Sequence, residues 1–231
     1  MKFLVTAGPT REFIDPVRFL SNPSTGRMGF AVARAARAAG HEVVLVAGPV
    51  ALRTPKGVRR VDVVSARDML ASVEAEDFDC LVATAAVADW RPERMATKKL
   101  KKREMDGTLK LVRNPDILKK ISEQVRGGRS KSHSGRERHP ILVGFAAETG
   151  EPTAEAVRKC REKGLDLIVA NDVTAAGCGF GTETNRVSFV FPDGRIERLP
   201  LLSKTAVARR IVNAVTMFVS EKSGLFWFRD L

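Results

Sequence analysis

Residues 1–48, MKFLVTAGPTREFIDPVRFLSNPSTGRMGFAVARAARAAGHEVVLVAG, decide the fold class of this chain. They open on a near-continuous apolar run at 3–6 and close on another at 42–46. Such runs read as strands of a parallel sheet covered on both faces. Between them, residues 28–39 carry helical periodicity, and Gly40 stands just past the expected helix end.

The same alternation continues outward. Residues 80–84, 141–145 and 167–170 read as further buried strands, and residues 66–74, 115–124 and 153–163 as helices. Pro115 falls in the first turn of one helix and Gly164 just past the end of another. Strand–helix alternation predicts an α/β fold: a Rossmann-like, doubly wound, mainly parallel sheet with helices on both faces and right-handed crossovers. Residues 186–191, the turn Pro192-Asp193-Gly194 and residues 195–199 then read as a C-terminal β-hairpin, with a helix over 203–219. That hairpin forms either a sheet edge that needs a partner or a cover over its own sheet. With no internal repeat or composition break, residues 1–220 read as one domain and 221–231 as a tail of unassigned role.

The first turn is not a dinucleotide fingerprint. Strand one ends in Thr6-Ala7-Gly8-Pro9-Thr10, without Gly-x-Gly-x-x-Gly, and about twenty residues separate it from the helix where the fingerprint allows almost none. A long polar loop at the carboxyl edge of an α/β sheet is where ligands bind.

Composition narrows the function. A chain of 231 residues, 44% hydrophobic and 29% charged, has the makeup of a globular protein with a sizeable core. No apolar run approaches the ~18 residues of a membrane helix, and the first residues read as a strand rather than a secretory signal. Cys80, Cys160 and Cys178 are widely spaced with no Cys-x-x-Cys pair, which points to a reduced, cytoplasmic setting. The net charge of +12 is concentrated in KKLKKR (98–103) and RGGRSKSHSGRER (126–138). Such surfaces attract nucleic acid or phosphorylated small molecules. The second cluster reads as a surface loop, its charge either solvated or meeting a partner.

Several chemistries drop out. Without tyrosine, no hydride-transfer site can be built on a Tyr–Lys pair. His41, His133 and His139 do not form a pattern for a His triad or a His-rich metal site. There is no Gly-x-x-x-x-Gly-Lys-Ser/Thr loop. Aromatics are 6% of residues and are not interleaved with the basic ones as stacking platforms require, which argues against a nucleic-acid partner.

What remains is a series of motifs, most of them at predicted strand ends: T-A-G-P-T-R-E (6–12), D-P-V-R-F-L-S-N (15–22), G-R-M-G (26–29), A-A-V-A-D-W (85–90), K-L-K-K (99–102), N-P-D-I-L (114–118), G-F-A-A-E-T (144–149) and A-N-D-V (170–173). In order and spacing, over about residues 2–215, the chain resembles bacterial phosphopantothenoylcysteine synthetase. Many bacterial relatives are the C-terminal half of a fused protein whose N-terminal half is a flavin-dependent decarboxylase. The resemblance therefore implies no flavin here, and a separate decarboxylase acting next. The basic stretch at 127–139 and the tail SGLFWFRDL match nothing in that pattern.

The resemblance implies a ligase with two half-reactions. The carboxylate of 4′-phosphopantothenate attacks the α-phosphate of CTP, giving an acyl-cytidylate and pyrophosphate. The amine of cysteine then displaces CMP to form the amide. It further implies Mg2+, CTP in bacterial relatives or ATP in those from eukaryotes, and a homodimer with each active site completed by the partner chain. No metal ligands are assigned.

The resemblance makes Lys99 the catalytic lysine; by itself Lys99 is one more solvated cation in a basic run, as are Lys101 and Lys102. It gives Asn22, with Arg18, to phosphopantothenate and the acyl intermediate; Asn22 otherwise reads as a turn residue before Pro23. Ala85 and Ala86 belong to the same substrate site. The nucleotide-binding set is Asp89, Lys99, Asn114, Pro115, Asp116, Ile117, Phe145, Lys159 and Lys163. Among these Asp89 otherwise reads as a cap or turn, Asn114 as a helix cap and Phe145 as core. Lys159 and Lys163, four apart, share one helix face.

Overall fold

The computed structural model describes residues 1–104, 107–128, 139–148, 154–172, 177–179 and 181–221. Strand β1 (Lys2–Ala7) is buried throughout, with Phe3 and Val5 facing one layer and Leu4 the other. The long first loop is itself structured. It holds an antiparallel pair, β2 (Arg11–Phe13) and β3 (Phe19–Ser21), and returns to α1 (Arg27–Ala38). Strands β4 (Glu42–Ala47) and β5 (Arg59–Asp62) follow, then α2 (Ala66–Glu74), whose Ser65 and Asp68 form a reciprocal capping box. After β6 (Cys80–Ala83), a second antiparallel pair, β7 (Trp90–Pro92) and β8 (Leu111–Arg113), precedes α3 (Ile117–Arg126). The chain continues through β9 (Ile141–Glu148), α4 (Ala154–Glu162), β10 (Leu167–Asp172), β11 (Thr184–Asn185), β12 (Val187–Val190), β13 (Ile196–Arg198), β14 (Leu202–Ser203) and α5 (Lys204–Glu221).

The main sheet runs β13-β12-β10-β9-β6-β1-β4-β5, parallel from β10 to β5 and antiparallel at β12 and β13. Helices α1 and α5 cover one face, and α2, α3 and α4 the other. Each fully buried side chain of the Phe3, Phe30 or Leu45 kind contributes about 1.5–3 kcal/mol. The order reverses direction between β1 and β6, and that switch point is where such sheets bind ligands.

The expected doubly wound sheet is present, and both C-cap glycines are found. Gly40 and Gly164 have positive φ, and in each case the next residue's amide reaches back to the third-last helical carbonyl, His41 to Ala36 and Leu165 to Cys160. Pro115 is a correction: it lies ahead of α3, whose N-cap is Asp116, not Asn114. The hairpin is also resolved. β12 pairs with β10 inside the sheet and is wholly buried, while Glu197 and Arg198 leave the outer strand with a charged edge that discourages pairing. The cluster at 129–138 and the tail from 222 lie outside the described residues.

Candidate active site

At the switch point, the ends of β1 and β6 are stitched by short side chains. The Thr84 amide and hydroxyl both donate to the Thr6 carbonyl, at 3.3 and 2.6 Å, and the Ala85 amide donates to Thr6 Oγ1. Further out, the Ala86 amide donates to the Gly8 carbonyl, and buried Thr10 accepts the Ala88 amide at 3.0 Å. Small residues keep this seam narrow. A Cβ on Gly29 would lie 2.5 Å from both Ala7 Cβ and Thr84 Oγ1. Gly29→Ala is therefore expected to destabilise the protein by about 1–3 kcal/mol, read as a lower urea midpoint at constant m-value. An unchanged midpoint would show that α1 tilts away at no cost.

Above the seam opens a cavity of about 530 Å³. One wall is the amino end of α1. Its N-cap, Gly26, is left-handed and supplies no side-chain acceptor, so the first turn of Arg27, Met28 and Gly29, which lines the cavity, has no side-chain cap. Such a terminus favours an anion. Three cations line the same space: Arg27, Lys163 and Lys204. Arg27 pairs with Glu183. Lys163 pairs with Asp116 at 2.8 Å. Lys204 is buried, and its ammonium donates to the carbonyls of Thr182 at 2.6 Å and Gly179 at 3.3 Å. Burial, then repulsion from Arg27, pushes its pKa below the usual lysine range.

Burial opposes ionisation of Asp116. The hydrogen bonds from Lys163 and from the Lys119 amide outweigh it and leave the carboxyl below its ordinary value. Phe145 also lines the cavity, from within β9 rather than at the strand end expected of it, since β9 runs on to Glu148, and the side-chain oxygens of Asn171 and Asn185 are buried without a hydrogen-bond partner. Two orphan acceptors in a cavity call for a ligand with hydroxyl or amino donors.

Of the residues singled out in the sequence, Asn22, Ala85, Ala86, Asp89, Asn114, Pro115, Asp116, Ile117, Phe145 and Lys163 all line this cavity. Asn22 is a strut as well: its amide donates to the carbonyls of Ala86 and Val87, at 3.0 and 3.2 Å. Asn114 similarly donates to the Ala88 carbonyl at 2.8 Å. Lys99, Arg18 and Lys159 are not among the lining residues. Lys159 lies near Glu155 on its own helix, at 3.9 Å. Helix α4 ends at Glu162, but the Lys163 amide still donates to the Lys159 carbonyl at 3.0 Å, so Lys163 follows Lys159 by one turn and only Lys163 reaches the cavity. Arg18 is held by buried Asp15 and by the Leu100 carbonyl, and Lys99 is exposed next to that peptide. Thr6, Arg27, Asn171, Asn185 and Lys204 were missed as site residues. The motifs T-A-G-P-T, G-R-M-G and A-N-D-V marked three of them, and nothing local marked Asn185 or Lys204.

Among the described residues, no group of three or more His, Cys, Asp and Glu comes together to hold a metal, and no helix is long and apolar enough to cross a membrane.

A family model described as "DNA/pantothenate metabolism flavoprotein C-terminal domain" matches residues 1–218. The chain is 44% identical over 216 residues to the coenzyme A biosynthesis bifunctional protein CoaBC of Vibrio vulnificus (strain YJ016), covering 92% of this chain and 51% of that protein. Over 224 residues it is 44% identical to the protein of the same name from Bacillus subtilis (strain 168), covering 96% and 52%. The chain thus spans about half the length of the curated relatives it matches. Among solved structures, the crystal structure of the C-terminal domain of CoaBC superposes with a TM-score of 0.76 at 40% identity, covering 95% of this chain and 96% of that one. A Cab2 variant in complex with phosphopantothenate-cysteine shares the fold, with a TM-score of 0.71 at 17% identity, over 96% of this chain and 88% of that one.

Proposed function

The chain belongs to the DNA/pantothenate metabolism flavoprotein C-terminal domain family, and from that premise we propose that it is a phosphopantothenate–cysteine ligase of coenzyme A biosynthesis. It uses CTP in preference to ATP, works in the cytoplasm, and carries the activity in residues 1–220 without a flavin. The observation that carries this reading is the uncapped amino end of α1, ringed by Arg27, Lys163 and Lys204 over a 530 Å³ cavity at the switch point. That is a site for a phosphorylated ligand.

In the first step a carboxylate oxygen of 4′-phosphopantothenate forms a bond to the α-phosphorus as the bond to pyrophosphate breaks. The amides of α1, with Arg27 and Lys204, take up phosphate charge as it develops. Phe145 offers a face to the base, and the Asn171 and Asn185 oxygens accept from its amino group or from the ribose hydroxyls. In the second step the cysteine amine attacks the acyl carbon, the acyl–oxygen bond breaks, CMP leaves and the amine gives up a proton. Asn22, fixed over Ala86, lies beside the acyl phosphate. Magnesium would come bound to the triphosphate, because among the described residues the carboxylates lining the cavity are Asp89 and Asp116 and the latter is engaged by Lys163. When bound it neutralises charge between phosphates and attacking carboxylate.

Lys99 and Arg18 lie outside their own chain's cavity, and an apolar surface adjoins them. Val17 is 58% exposed, Met95 55% and Trp90 45%, with Phe19 and Leu111 nearby on β3 and β8. We place a two-fold homodimer contact there, which covers these side chains and carries Lys99 and Arg18 to the partner's cavity.

Incubation with phosphopantothenate, cysteine, magnesium and either nucleotide is expected to release pyrophosphate one-for-one with amide product, faster with CTP. Excess chelator is expected to stop it. Silence with both nucleotides would overturn the ligase, and undiminished turnover in chelator the magnesium.

A further inference from the structure

Asp15 is solvent-inaccessible at the turn between β2 and β3, and its two carboxylate oxygens do different jobs. Oδ1 accepts the amides of Val17 and Arg18, both at 2.9 Å, which is all that the turn requires. Oδ2 accepts from Arg18 Nε at 3.0 Å and Nη2 at 2.5 Å, and also from the amide of Leu100 at 3.2 Å. Arg18 Nη2 in turn donates to the Leu100 carbonyl at 2.8 Å. Leu100 is thus gripped on both sides, its N–H by the carboxylate and its C=O by the guanidinium, so that two successive peptide groups are held. A bond from the Ala96 amide to the Ile14 carbonyl, 2.9 Å, fastens the same arm nearer its root.

Lys99 and Lys101 flank the gripped residue, within a run of five cations in six residues. Like charges so close repel one another and would spread an unanchored arm. A buried anion and a planar fork fix one residue in the middle of the run, and with it the origins of both lysine side chains. We propose that Asp15 is a positioning residue which, with Arg18, sets where Lys99 is presented. This rests on the reading of Lys99 as the catalytic cation. Arg18 therefore works on the arm of its own chain, whatever it also meets across the dimer.

Asp15→Asn separates the two jobs. Oδ1 can still accept the turn amides, but an amide nitrogen in place of Oδ2 opposes two donors, the Arg18 fork and the Leu100 N–H. In the free enzyme, exchange of the Leu100 amide is expected to quicken at least about tenfold. Pyrophosphate turnover should fall by about 10–100-fold, with the nucleotide KM within about twofold because the cavity is untouched. Asp15→Glu, which restores the charge, should recover part of both. Unchanged Leu100 exchange in a folded Asp15→Asn protein overturns the clamp, and faster exchange with full turnover overturns its positioning role. If that variant does not fold, Arg18→Lys carries the same test, since one ammonium cannot bridge Asp15 and Leu100 as the fork does. Lys99→Gln should leave Leu100 protected, so a failure of the catalytic reading appears only in that variant's turnover.

Discussion

Lys99→Gln is expected to reduce pyrophosphate release by about 10²–10⁴-fold and to leave the urea midpoint within experimental error. Kinetically, on the role proposed for Lys99, the substitution deletes a cation that meets oxygens whose charge grows in the transition state, a loss that falls on kcat rather than on nucleotide binding. Structurally, Lys99 is exposed on an arm held by its neighbour Leu100, so its side chain contributes little to folding. Near-normal release by a folded variant would remove Lys99 from the chemistry. The change is isosteric enough to keep the arm seated, unlike a deletion of the basic run.

The second large effect is recovery of activity on mixing two dead proteins. If Lys99 serves the partner's cavity, a Lys99→Gln chain retains an intact cavity, and an Asp89→Asn chain retains an intact lysine. Random exchange of subunits makes half of the dimers mixed. One of the two sites in each mixed dimer then unites an intact cavity with an intact Lys99. Activity is expected to rise from near zero to about a quarter of the unsubstituted protein's. No recovery, after mass measurements prove that subunits have exchanged, would confine each site to a single chain. A single-chain mass at working concentration would sink the dimer itself.

The frame of this fold was legible because buried parallel strands have no polar face. Residues 3–6, 42–46 and 80–84 could only be interior strands, and Gly40 and Gly164 announced two helix ends. Strand β5 was not legible: Arg59-Arg60-Val61-Asp62 holds three charges in four residues. It pairs only at the sheet margin, where Arg60 turns back over Phe30 and bonds the Leu52 carbonyl. The start of α3 was placed two residues early, because a proline suits a first turn on local grounds while Asp116 holds the cap through Lys119. Most cavity residues written into contiguous motifs were found, while Thr6, Arg27 and Asn171 lay in such motifs without being singled out. Asn185 and Lys204 were not found, since β11 and α5 reach the cavity only after the sheet has closed. Asp15 was visible within D-P-V-R, but its hold on Leu100 spans 85 positions of sequence.

Helix α5 lies against α1, and Val207, Ile211 and Val215 complete the apolar layer that Phe30, Ala33 and Ala36 begin. A ribosome reaches position 204 long after it has finished α1, roughly 10–30 s later at elongation rates of about 5–20 residues per second. Throughout that interval α1 covers its face of the nascent sheet without its partner helix. Chaperone occupancy on the nascent chain should accordingly fall once α5 has docked against α1.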